Sequence, residues 1–113
     1  MGESIPGSEE RKAAIKEEIT ARITDEIERS SGNTWLACFA TRLTVLGLRL
    51  QQSLRDEQTK DKAKELKTQV NVLAQKQFGI ATGLNYQEPT EEVKNKLLEE
   101  LTELVYQFEQ LTC

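Results

Sequence analysis

One stretch, residues 34–50 (TWLACFATRLTVLGLRL), narrows most sharply what this chain can fold into. It is an apolar run in a chain that is otherwise heavily charged. Arg42 and Arg49 interrupt it, and it falls short of the ~20 nearly uncharged residues that a membrane span requires. It is also too apolar for a helix lying on a surface. The role left to it is the central core helix of a small helical domain. Leu36, Phe39, Leu43, Leu46 and Leu50 recur at alternating spacings of three and four. At 100° per residue they stay within about 80° of one another, the seam of an antiparallel bundle. Ala40 and Gly47 border that face, where small side chains would let another backbone approach closely.

The opposite side of the same segment is mixed. Cys38, Thr41, Val45 and Leu48 share it with Arg42, Arg49 and Gln52. Either a peripheral helix of the same chain covers this second face, or a partner does.

The flanking sequence supplies three more helices. Residues 1–7 contain Gly2, Pro6 and Gly7 and read as a flexible lead. Ser8 is a candidate N-cap, with Glu9 and Glu10 in the first turn where they favour the helix dipole. Ile15, Ile19, Ile23 and Ile27 give this first helix one apolar residue per turn. That stripe is narrow and drifts about 40° per step, so the helix is expected at the periphery with a fraying first turn. Ser30-Ser31-Gly32-Asn33 reads as a turn, with Gly32 past the helix end and Asn33 or Thr34 capping the next helix.

Residues 55–62, RDEQTKDK, carry no apolar side chain. A seam continued from Leu50 would fall on Ser53, Glu57 and Lys60, so a break is expected, with Asp56 or Thr59 capping a third helix. The alternative is a single long rod joining helices two and three, which would need another chain to cover it. The third helix presents Ala63, Leu66, Val70, Leu73 and Gln77 on one face and ends near Phe78-Gly79. Residues 79–89 read as a loop whose Ile80, Leu84 and Tyr86 fold back over the bundle end. Pro89-Thr90 opens the last helix. Its face is Val93, Leu97, Leu101, Leu104, Phe108 and Leu111, widened by Leu98 and Val105.

The expectation is therefore an all-α, antiparallel four-helix bundle with helices near 8–30, 34–55, 59–78 and 90–111. Helices two, three and four would form the main core, with helix one as cover. Residues 8–113 would be one domain, and a chain of 113 residues can bury roughly two thirds of its unfolded surface.

The residue types exclude much chemistry. With no histidine, His-dependent triads and Cys/His zinc sites are absent. No P-loop and no GxGxxG pattern occurs. Glu99, Glu100 and Glu103 form an acidic run that suits magnesium, and Glu17-Glu18 with Asp25-Glu26 could face it across the bundle. A carboxylate-based, magnesium-dependent nucleotide hydrolase of all-α type is thus one alternative function. However, Glu99 and Glu103 face away from the Leu97/Leu104 seam. The acids of the first helix alternate with Arg11, Lys12, Lys16, Arg22 and Arg29, which is the pattern of surface ion pairs. A small-ligand binder using the 79–89 loop is a second alternative.

Cys38 has an apolar neighbourhood and reads as a buried, inert thiol, and Cys113 carries no functional reading. Trp35 is expected in the core at the bundle end. Tyr106 lies nearly opposite the last helix's seam, so it is either exposed or part of an interface.

The formal net charge of −4 argues against nucleic acid or an anionic membrane as partner. The lysines between Lys60 and Lys76 lack the interleaved aromatics of a nucleic-acid reader. The opening MGESIPGSEER has no apolar signal core, so a reducing cytoplasm is expected.

The expected function is a non-enzymatic, cytoplasmic protein-interaction module: a small adaptor, regulator or assembly factor, acting as a homodimer or with a protein partner. Its candidate interface is Cys38, Thr41, Arg42, Val45, Leu48, Arg49 and Tyr106. No residue is assigned a catalytic, cofactor-binding or metal-ligating role.

Overall fold

In a computed structural model describing residues 6–29, 34–84 and 86–112, the chain forms four helices and, among those residues, no strand. They are α1 (Pro6–Arg29), α2 (Trp35–Ser53), α3 (Lys60–Ala81) and α4 (Glu91–Thr112). Of the lead expected at 1–7, residues 1–5 lie outside the described residues, as do the expected turn at 30–33, Asn85 and Cys113. α1 already begins at Pro6, so Pro6 and Gly7 are helical and Ser8 lies within the helix instead of capping it.

α2 is the central element, and its seam is buried as the spacing predicts: Leu36, Phe39, Leu43, Leu46 and Leu50 all lie in the core. Thr34 caps it, its side chain accepting a hydrogen bond from the Ala37 amide at 3.1 Å. Trp35 is buried at the bundle end and stacks on Phe39, with ring centroids 5.3 Å apart.

α2 and α3 form two helices, not one rod. The intervening turn is built by its polar residues. The Asp56 carboxylate accepts from the Gln58 amide at 2.9 Å, a local bond that competes with helix. Thr59 stands at the N-cap of α3 but makes no side-chain cap bond; its hydroxyl instead donates to the Ser53 carbonyl at 2.7 Å, satisfying the end of α2. Leu54 tucks half-buried against the core.

α2 and α3 share the most extensive interface in the molecule. Gly47 packs there, yet a methyl group at its Cα would meet Val70 Cγ1 at 3.7 Å and the Asn71 side-chain oxygen at 3.8 Å, both ordinary contacts. The close approach therefore does not depend on glycine.

Two further expectations are corrected. First, α1 is a full wall of the core and not a peripheral cover. Ile15, Ile19 and Ile23 are buried, Ile23 completely. The stripe is narrow, but charged side chains close its flanks. Arg11 of α1 and Glu109 of α4 form a two-bond ion pair, and Lys12 Nζ reaches Glu103 at 2.8 Å. α1 leans on α4 more closely than on α2. Second, α3 runs on through Gly79 to Ala81, so Ile80 and Leu84 do not fold back over the bundle end. Ala81 takes the next core-facing position, while Ile80 is exposed and Leu84 fully so. Only Tyr86 of that trio packs on the core.

Candidate functional site

The candidate interface splits along α2. Its first half is sealed by α1. Cys38 is buried, and burial, with the Glu26 carboxylate second, pushes its thiol up and away from the reactive thiolate. Thr41, half-buried, donates its hydroxyl back to the Ala37 carbonyl at 3.0 Å. Arg42 reaches across to α1, where its Nη2 donates to Glu26 at 2.6 Å. Its Nε is buried without a hydrogen-bond partner among the described residues.

The second half is open. Val45 is half-buried, Leu48 is 61% exposed and Arg49 is exposed. Beside this half lies a cleft of about 290 Å³ between α1, α2 and α4. Its lining is mixed; the apolar part comes from Ile15 and Ile19 of α1, Val45 and Leu46 of α2, and Leu101, Val105 and Phe108 of α4. Its rim is charged, with Arg11, Glu18 and Arg22 from α1, Arg42 and Arg49 from α2, and Glu109 from α4.

Four arginines thus stand against two glutamates around an apolar wall, in a chain of net charge −4. The Arg11 guanidinium holds the Glu109 carboxyl below the usual carboxylate range, and Lys12 does the same for Glu103.

Of the seven candidate residues, then, the structure gathers Arg42, Val45 and Arg49 around one cleft. Cys38 and Thr41 lie nearer the start of α2, on the sealed half. Leu48 lies on α2 next to the cleft residue Arg49 but outside the lining. Tyr106 is half-buried on the α1-facing side of α4, with Lys12 Nζ 5.0 Å from its ring centroid, a cation–π contact.

Sequence reasoning missed the contribution of α1 and α4 to the cleft. Arg11 and Glu109 are 98 residues apart, and no local pattern joins them. The one signal available was the widening of the α4 face by Val105.

The acidic residues do not converge. Among the described residues no group of three or more Asp, Glu or Cys side chains is placed to hold a metal ion. Glu103 is tied to Lys12, Glu26 to Arg42 and Asp25 to Arg29. The described residues of 79–89 do not line the cleft. No helix among the described residues is long and apolar enough to cross a membrane. Comparison with protein-family models, with curated proteins and with solved structures finds no match.

Proposed function

We propose that this protein is a non-enzymatic interaction module of the cytoplasm, docking a protein partner or a second copy of itself through the open half of α2 and the adjoining cleft. The observation that carries the reading is the division of α2's second face. α1 covers it around Cys38 and Arg42, then leaves a partly apolar, arginine-rimmed opening from Val45 onward. An apolar surface bordered by charge has the composition of a docking site, with a buried core and a polar rim. Leu48, exposed on the same half of α2, stands outside the cleft lining. Cytoplasmic placement belongs to the same proposal, supported by Cys38, a buried free thiol.

The reading is tested with Leu48→Glu, which places a charge on the open half while leaving the seam intact. Light scattering on the purified chain detects self-association, and parallel affinity capture with wild-type and variant baits detects a separate partner. A dimer or a captured protein that is lost with the variant supports docking here. A strict monomer whose two baits retain identical proteins rejects it.

A further inference from the structure

The charges on the cleft rim say what kind of partner fits. Arg11 is held by Glu109 on two bonds, and Arg42 by Glu26 at 2.6 Å. Arg22 meets Glu18 at only 3.8 Å, with both side chains largely in water, where such a contact is easily exchanged. Arg49 makes no ion pair or hydrogen bond with the described residues. The uncompensated positive charge of the rim is therefore concentrated at Arg49, with Arg22 held only by its loose contact to Glu18. Its sign is opposite to that of the chain as a whole.

A basic partner drawn by the overall charge would meet like charge at this cleft, which costs specificity for such a partner. Carboxylates beside apolar side chains would meet complementary groups. The cleft's size adds to the argument. At about 290 Å³ it lies at the lower edge of the ~300–1,000 Å³ typical of small-molecule sites. It has room for one or two apolar anchors, as a docked helix presents at i and i+3 or i+4.

We infer that the occupant is an acidic amphipathic helix of a partner protein. Its apolar anchors seat against Val45, Val105 and Phe108, and its flanking Asp or Glu side chains pair with Arg49 and Arg22. This rests on the docking function proposed above and specifies the partner's chemistry.

The test is a selection from a displayed library of randomised helical peptides, about five turns long, against the full chain. Fluorescence anisotropy of the enriched peptides then follows on wild type, Arg49→Glu, Leu48→Glu and a Lys76→Glu control on α3. The expected result is enrichment of acidic peptides with apolar residues at helical spacing. Arg49→Glu should weaken them roughly tenfold, added salt should weaken them further, and Lys76→Glu should leave affinity unchanged. Circular dichroism of each variant separates lost binding from lost folding.

Basic or uncharged binders that Leu48→Glu weakens and Arg49→Glu does not would overturn the acidic helix and leave docking standing. A homodimer dissolved by Arg49→Glu would reassign the cleft to a second copy and likewise overturn it. No self-association and no binder sensitive to Arg49→Glu or Leu48→Glu would remove both readings.

Discussion

The two halves of α2's outer face make an instructive pair. They share one helix, similar residue types and one arginine each. Around Cys38 and Arg42 the face is closed by α1, whose Glu26 meets both; around Val45 and Arg49 it stays open. The difference comes from the covering helix and not from α2 itself. α1 is pinned to α4 by Arg11–Glu109 and Lys12–Glu103, so at that end it follows α4. At its other end Arg42 and Glu26 tie it to α2. The gap lies between these two fixings. A face can thus be half core and half surface with no change in its own pattern.

The comparison can be broken most forcefully from the sealed half. Ile23→Ala removes a completely buried side chain and should cost about 2–5 kcal/mol, read as a lower denaturant midpoint. Val45→Ala, on the open half, should cost well under half as much; equal losses would mean that the opening is closed in solution.

Next in size is Arg42→Ala, which strands a partly covered Glu26 carboxylate and should cost about 1–3 kcal/mol. The double variant Arg42→Leu/Glu26→Leu should recover most of that loss, because two apolar groups replace a pair without leaving a charge behind. Failure of the recovery would show that α1 is held here by something other than this pair.

A smaller effect concerns the fixing of α1 to α4. The carboxyls of Glu103 and Glu109 are held below their unfolded values, so their contribution is present above the ordinary carboxylate range. It is lost as pH falls through their lowered folded values. Acid should lower the melting temperature by a few degrees more in wild type than in Glu103→Gln/Glu109→Gln, and high salt should shrink the gap, as both pairs are partly exposed.

The smallest effect sharpens the contrast by its absence. Leu48→Glu should change stability by less than about 0.5 kcal/mol, since Leu48 is mostly in water. A loss of 2 kcal/mol or more (on the order of a core substitution) would place Leu48 in an interface that the isolated chain does not contain.

The sequence made some of this legible. The 3-4-3-4 leucines of α2 named the core seam, because a helix facing the bundle centre must repeat at that period. The polar run after Leu50 marked the break, because the seam has nothing apolar to carry on with. The place of α1 was not legible. One isoleucine per turn looks peripheral when the ion pairs that bind its flanks join residues as far apart as Arg11 and Glu109. The end of α3 was not legible either: Gly79 suggests a stop, yet helical bonding continues until the Thr82 amide meets the Phe78 carbonyl at 3.0 Å. The cleft required three helices at once, and only its α2 wall could be named in advance.

The pairing of α1 with α4 also has a consequence for biosynthesis. Residues 30–90 lie between the two helices, so α1 leaves the ribosome several seconds before its partner at the usual ~5–20 residues per second. α2 and α3, joined by a short turn, need no part of α4 to meet each other. The isoleucine stripe of α1 then waits without its α4 wall, an apolar strip open to chaperones and proteases. A released, truncated chain ending before Glu91 should be cleaved in α1 and protected across α2 and α3; protection of α1 in that chain would show that it settles without α4.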